Sequence, residues 1–174
     1  MIECKESRHS LNQKRFSDLS LYSAGYEICQ PGHHYGPIYR SYELIHFIVS
    51  GKGVLEIDGH VFHLSAGDAF FIPSGKISYY AADLNDPWCY TWISFLGINA
   101  PMYLCQLMSA SRETYLFHHL DTEKYRLLID QILKMKGSAP EEYFKGNGLL
   151  LQILEELFRD TKFDEQNWEK LHSR

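Results

Sequence analysis

The chain has 174 residues, 45% of them hydrophobic and 14% aromatic, which is enough for one domain with a sizeable core and a small helical addition. Lys and Arg total 17 against 22 Asp and Glu, and the net charge of −5 argues against direct binding of nucleic acid. The sequence shows no signal peptide, no membrane span, no zinc motif and no dense disulfide framework. We expect a cytoplasmic protein with no membrane partner.

Short strands dominate the first half of the chain. Residues 1–19 are polar without a clear period, and we expect a flexible N-terminal arm there. Apolar alternation and turn residues then predict strands at 22–28, 42–49, 54–57, 61–64, 69–72, 77–81 and 88–95. Asp58-Gly59 is a strong signal for a two-residue hairpin. Strands at this spacing, with no helices between them, indicate a sandwich or barrel over residues 20–98.

Helical periodicity replaces this pattern over residues 99–162. A short helix begins near Pro101, and an amphipathic helix follows Asp121. The last helix runs to about Asp160 and is apolar on more than one stripe, so two surfaces must cover it. We predict that one surface is the β domain and the other a second subunit, bound through Leu149, Leu150, Ile153, Leu154 and Leu157. Burial within a single chain is the alternative. Residues 163–174 form a polar C-terminal end.

One segment carries a recognisable turn-strand-turn signature. Gly67, Pro73 and Gly75 match the spacing Gly-x5-Pro-x-Gly-x2-His, which resembles the second signature of cupin β-barrels. The position at which a metal-binding cupin carries its ligand His is Ser78. The segment therefore resembles a cupin barrel in which this metal ligand is missing.

An ordered set of segments extends the resemblance to a family. The set consists of residues 42–53, Asp58-Gly59, 67–80 and 86–95, followed by two helices. Over residues 20–160 the chain resembles the N-terminal sensor domain of AraC-type bacterial transcription regulators. This resemblance implies a mainly β fold with C-terminal helices, in which a cupin-like jelly-roll β-barrel is followed by an antiparallel helix pair. It also implies a small-molecule effector, often a sugar, and a homodimer formed through the helices. DNA would be bound only by a helix-turn-helix domain that this chain lacks.

The metal positions of the first cupin signature are also empty. Counting back from Gly51 places the expected Glu on Leu44, and the expected His pair falls over residues 38–40, which contain no His. We therefore predict no metal, no cofactor and no catalytic residue. The alternative is a small cupin enzyme, an isomerase or dioxygenase, with a non-standard metal site. His33, His34 and His46 are the residues that could form such a rearranged site.

Aromatic residues on one strand suggest where an effector would lie. Trp88, Tyr90 and Trp92 alternate and therefore share a face, which either lines a cavity or fills the core. The resemblance places pocket residues on this strand and at Tyr80, and the nearest candidate for a pocket arginine is Arg40. His46 lies mid-strand and could face the same space. We predict a mono- or oligosaccharide effector bound by Arg40, His46, Tyr80, Trp88, Tyr90 and Trp92.

Overall fold

The computed structural model describes residues 5–10, 18–110, 113–136 and 139–161. Their elements are β1 Lys5–Ser10, β2 Ser20–Ile28, β3 His34–Tyr39, β4 Glu43–Ser50, β5 Lys52–Ile57, β6 His60–Ser65, β7 Ala69–Ile72, β8 Ile77–Ala82, β9 Cys89–Leu96, α1 Ala100–Ala110, β10 Leu116–Phe117, α2 Thr122–Leu133 and α3 Pro140–Asp160. The prediction of a mainly β fold with C-terminal helices is confirmed. The seven predicted strands lie within two residues of the observed ones.

The strands form two antiparallel sheets. The larger sheet has the order β1-β2-β9-β4-β7-β10, and the smaller has the order β3-β8-β5-β6. Sequence neighbours β5 and β6 pair through the predicted hairpin, in which Asp58 and Gly59 both adopt positive φ values of 51° and 76°. Two successive positive φ values are typical of the tight turns that match the twist of paired strands.

Apolar and aromatic residues from both sheets meet in the space between them. The larger sheet contributes Leu44, Ile48, Phe70, Ile72 and Tyr90, and the smaller contributes Leu55, Ile57, Leu64 and Tyr80. Their burial closes one part of the barrel with a packed core. This core leaves part of the space between the two sheets unfilled.

The helices cover the outer face of the larger sheet. The N-terminal turn of α2 and the C-terminal turn of α3 are joined by the Lys124 ammonium, which lies 2.9 Å from a Glu156 carboxylate oxygen and 3.0 Å from an Asp160 oxygen. The two helices are therefore antiparallel, as predicted. Strand residues packed under this layer include Leu21, Ala24, Ile45, Phe47, Phe71, Ile93 and Phe95.

The residues predicted to form a dimer contact lie in this intramolecular layer. Leu149, Leu150, Ile153, Leu154 and Leu157 are all between 0% and 7% exposed within the single chain. The larger sheet and α2 cover both apolar stripes of α3, so a second subunit is not needed to bury them. This burial within one chain favours the alternative, and it leaves little of these five side chains for a contact with a second subunit.

Three strands were not predicted: β1, β3 and the two-residue β10, which pairs with β7. Lys5–Ser10, inside the expected flexible arm of residues 1–19, pairs with β2 along its whole length. β3, which lies between the predicted strands 22–28 and 42–49, pairs with β8. All three are edge strands, whose main-chain hydrogen bonds do not depend on an alternating apolar pattern. The predicted polar end, residues 163–174, lies outside the described residues.

Candidate functional site

A cavity of about 190 Å³ lies between the two sheets, beside the packed barrel core. It is lined by side chains from β1 to β4, from the β3–β4 connection and from β8 and β9, namely Arg8, Ser23, Glu27, Tyr35, Ile38, Arg40, Tyr42, Leu44, His46, Tyr80, Tyr90 and Trp92. The lining combines aromatic faces with buried polar and charged groups. This composition is typical of small-molecule sites, in which a few polar groups fix the orientation of a ligand.

The cavity floor is formed by rows of residues that pair across neighbouring strands of the larger sheet. Ser23 of β2 lies opposite Ser94 of β9, and their hydroxyl oxygens are 2.6 Å apart. The next row places Gly25 opposite Trp92, which in turn lies opposite His46 of β4. Because side chains alternate along a strand, residues 23, 25 and 27 face the cavity while Ala24 faces the helices.

The absence of a side chain at Gly25 creates the place where Trp92 lies. A Cβ atom at Gly25 would stand less than 3.0 Å from three atoms of the Trp92 indole, closer than real contacts allow. The indole therefore packs directly on the β2 backbone, and Trp92 remains only 8% exposed. Its position gives the cavity a flat apolar wall held by the sheet.

Arg40 brings a buried cation to the opposite side. One guanidinium nitrogen donates to the Ser78 hydroxyl at 3.3 Å, and the other donates to the Tyr80 hydroxyl at 3.2 Å. Ser78 is the residue at the empty metal-ligand position of the cupin signature, and here it anchors an arginine instead. Burial raises the pKa of Tyr80 well above its ordinary value, so this phenol keeps its proton.

Glu27 brings a buried anion to the same cavity. Its side chain is 2% exposed, and its carboxylate accepts hydrogen bonds from Tyr90 at 2.7 Å and from Tyr35 at 3.4 Å. The Nε2 atom of His33 lies 2.9 Å from the other oxygen, but it is not aligned as a hydrogen-bond donor. Burial raises the pKa of Tyr90 far above its usual range, so Tyr90 remains a donor to Glu27.

His46 lies between these two charges. Its ring stacks on Phe70 with 4.4 Å between ring centroids and meets Tyr90 edge-on at 4.8 Å. Its Nδ1 atom is buried without a hydrogen-bond partner. Burial, and secondarily the charge of Arg40, holds the pKa of His46 well below its usual value, so the ring is neutral. A neutral imidazole offers one donor and one acceptor to a ligand.

The structure brings five of the six predicted ligand residues to the cavity. Arg40, His46, Tyr80, Tyr90 and Trp92 line it. Trp88 shares their face but does not line the cavity, because it lies beyond the closed end of the cavity. There the fully buried Trp88 indole occupies the space beside Gly53 that a side chain would fill, and it stacks on Phe70. Trp88 therefore belongs to the core.

The three histidines considered for a rearranged metal site do not converge. His34 stacks its ring against Tyr79, an outward-facing residue of β8, whereas His46 is enclosed in the barrel. In the part of the chain that the structure describes, no group of three or more His, Cys, Asp or Glu side chains could hold a metal ion. Of the helices described, none has the length and apolar character needed to cross a membrane.

The cavity also contains residues that were not predicted from the sequence, namely Ser23, Glu27, Tyr35 and Tyr42. The apolar alternation of β2 identifies Tyr22, Ala24, Tyr26 and Ile28, and the residues between them fall in the phase that alternation ordinarily assigns to solvent. Those polar residues are instead the cavity wall. A buried ligand cavity gives a strand the same alternation as solvent does, so an acidic residue in the polar phase of a barrel strand was the available signal.

Comparisons with known proteins give a consistent family. Residues 20–167 match the family model described as AraC-like ligand binding domain. The Msm operon regulatory protein of Streptococcus mutans is 45% identical over 51% of this chain, and the raffinose operon transcriptional regulatory protein RafR of Pediococcus pentosaceus is 39% identical over 49%. The lactose operon transcription activator of Staphylococcus xylosus is 28% identical over 83% of the chain.

These relatives are longer than the chain. The matched segments span 32%, 31% and 51% of the Streptococcus, Pediococcus and Staphylococcus proteins, respectively. Among solved structures, the protein YhaK from Escherichia coli matches 67% of this chain and 52% of its own length with a TM-score of 0.51. At 15% identity this likeness shows a shared fold alone. The family match covers most of the chain, which therefore belongs to the AraC-like ligand binding domain family.

Proposed function

We propose that this chain is the effector-sensing domain of an AraC-type transcription regulator and that its effector is a saccharide held in the cavity. The observation that carries the proposal is the meeting of the Trp92 indole with the buried polar groups of Arg40, His46 and Glu27. Sugars present apolar C–H faces and many hydroxyl groups, and a flat aromatic wall with fixed donors and acceptors complements both.

The size of the cavity fits one sugar unit. A water-sized group needs roughly 10–15 Å³ of such space, so about 190 Å³ accommodates roughly a dozen or more non-hydrogen atoms. A hexose is of that size. The units of a longer saccharide would extend from the cavity mouth towards Arg8 and Tyr42. Relatives named for lactose and raffinose operons support a saccharide as the ligand class.

Isothermal titration calorimetry with galactose, glucose, lactose and raffinose tests the proposal. We expect at least one of them to bind, and Arg40→Met to weaken that binding by about 10-fold or more through loss of charged hydrogen bonds. Arg159→Met removes an exposed guanidinium from α3 and should leave the affinity unchanged. Absence of binding by every carbohydrate, or wild-type affinity in Arg40→Met, would contradict the assignment.

We further propose that the domain pairs with a second copy through an exposed stripe of α3. Phe144 is 72% exposed, Leu151 is 57% exposed, and Gly148 between them has open space beside it. Residues at this spacing lie on one face of a helix, opposite the buried leucines. Sedimentation velocity should show a dimer that Leu151→Glu dissociates and that the neighbouring Gln152→Glu preserves. A monomeric wild type, or an undisturbed dimer in Leu151→Glu, would contradict the stripe as an interface.

An effect on transcription requires that effector binding be thermodynamically linked to the conformation of the domain. We propose a regulator rather than an enzyme, acting in the cytoplasm, whose DNA contacts are made outside this chain. The similarity to operon regulators supports this role. An effector changes the output only if it binds two states of the domain with different affinities. The cavity and the helices share one sheet, so effector binding and helix packing can be coupled.

A further inference from the structure

Two opposite charges share the cavity without pairing. Arg40 is 7% exposed and Glu27 is 2% exposed, yet in the described residues no ion pair joins them. Arg40 is held by hydroxyl groups of the smaller sheet, and Glu27 by Tyr90 of the larger sheet and Tyr35 of the smaller one. A buried charge without an opposite partner is costly unless other groups satisfy it. The two sheets therefore hold the charges apart, on different walls of the space where an effector would lie.

Each charge retains unused hydrogen-bonding capacity. Arg40 has five N–H donors, and two of its nitrogens have acceptors among the described residues. The Glu27 carboxylate has about four acceptor positions. Oε2 receives the two tyrosine hydroxyls, and the His33 Nε2 atom lies 2.9 Å from Oε1. A ligand in the cavity therefore meets unused N–H donors of Arg40 on one side and at least one remaining acceptor position of Glu27 on the other. Hydroxyl groups match both sides, because each can donate and accept.

We propose that Glu27 is a specificity-determining residue that selects a neutral saccharide unit and rejects sugar acids. This inference rests on the proposed function and names the ligand class of the same cavity. The small cavity places any unit that fills it beside both charges. A carboxylate on the ligand is attracted by Arg40 and repelled by the Glu27 carboxylate, so these two interactions oppose each other, while the ligand still loses the hydration of its charge in a poorly solvated site. A neutral sugar bonds to both groups without that repulsion.

Matched pairs of monosaccharides separate the two cases, because a uronic acid differs from its hexose only at the carboxylate. We would titrate galactose and glucose against galacturonate and glucuronate by calorimetry. We expect the wild type to bind a neutral sugar at least about 10-fold more tightly than the matching uronate. Glu27→Gln keeps the shape and removes the charge, so it should abolish this preference and weaken the neutral sugar by about 10-fold. Glu56→Gln, on the exposed side of β5, should keep the wild-type ratio.

The outcomes distinguish this inference from the proposed function. Equal binding of neutral sugar and uronate by the wild type, or an unchanged preference in Glu27→Gln, overturns the role of Glu27 and leaves saccharide sensing intact. Failure of every saccharide, neutral or anionic, overturns the proposed function together with the inference. If Glu27→Gln does not fold, the wild-type preference between hexose and uronate still decides, since equal affinities overturn the proposal.

Discussion

Replacing Gly25 by Ala should damage the cavity and the stability of the domain together. The new methyl group would stand less than 3.0 Å from three Trp92 ring atoms, whereas ordinary contacts begin at 3.4 Å. Because Gly25 lies in the middle of β2 and pairs with β9, the backbone cannot move away easily, so the indole must shift into the cavity. Overpacking of this kind typically costs about 1–3 kcal/mol.

The expected effects are measurable by three methods. For a domain of this size, each kcal/mol lowers Tm by about 2–4 °C, so Gly25→Ala should unfold about 2–12 °C below the wild type in calorimetry. Displacement of the indole wall should also weaken saccharide binding by about 10-fold or more, which corresponds to about 1.4 kcal/mol. The intrinsic fluorescence of Trp92 should shift because the ring leaves its buried position.

Gly148→Ala is the matched control. No atom lies within 4 Å of the position that its Cβ would take, and the residue is helical. Alanine there should stabilise the domain by about 0.5–1 kcal/mol and leave the saccharide affinity unchanged. The reasoning about Gly25 is refuted if Gly25→Ala has the wild-type Tm and affinity, since the sheet would then have absorbed the methyl group without moving the indole.

Three further predictions concern other parts of the molecule. Lowering the pH below about 6.5 should reduce the free energy of unfolding by up to about 1.4 kcal/mol per pH unit, because His46 has a depressed pKa when folded and the unfolded chain therefore binds more protons. His46→Gln should flatten this slope in urea titrations, and an unchanged slope would exclude His46 as its source. Tyr90→Phe leaves the buried Glu27 carboxylate with one donor fewer and should cost about 1.5–3 kcal/mol in urea unfolding, and wild-type stability in this variant would contradict the importance of the Tyr90–Glu27 hydrogen bond. Leu150→Ala should cost about 2–5 kcal/mol, whereas the nearby, exposed Gln152→Ala should change the unfolding free energy by less than about 0.5 kcal/mol, and equal effects would contradict the described burial of α3.

The strand pattern of the barrel could be predicted because its central strands have one apolar phase and clear turns. Three of the edge strands, β1, β3 and β10, could not. β3 contains Gly36 and Pro37, its pairing with β8 is interrupted between Tyr35 and Ile38, and several of its residues are exposed. Such a segment has no apolar alternation, and its strand conformation is imposed by the main-chain bonds of its neighbour.

The candidate site was predictable in part for a related reason. Tyr90 and Trp92 share a phase, and alternation alone places them on one face. Whether that face lines a cavity or packs in the core depends on how much of the facing space the side chains of the opposite sheet fill at each position along the strand. At Trp88 the smaller sheet fills the space, whereas beside Trp92 it leaves room. Local periodicity contains no information about this difference, which arises from packing between residues distant in sequence.

The leucines of α3 illustrate a different limit of sequence patterns. Their two apolar stripes indicated correctly that two surfaces cover the helix. The sequence could not show that the larger sheet and α2 provide both surfaces, and that Phe144 and Leu151 remain outside. Amphipathic patterns define which side of a helix is buried, but they do not identify the element that buries it.

The two-faced character of β2 has a mechanical consequence. Its main-chain N–H at Leu21 donates to the Asn147 side chain of α3 at 2.8 Å, and two residues later Ser23 faces the cavity. The strand is thus a partition one residue thick between the effector space and the helix layer. Tightly packed interiors transmit small displacements rather than absorbing them. A movement of β2 by a fraction of an ångström would reach α3 without a relay of intermediate side chains, so the distance over which this domain must carry its signal is the thickness of a single sheet.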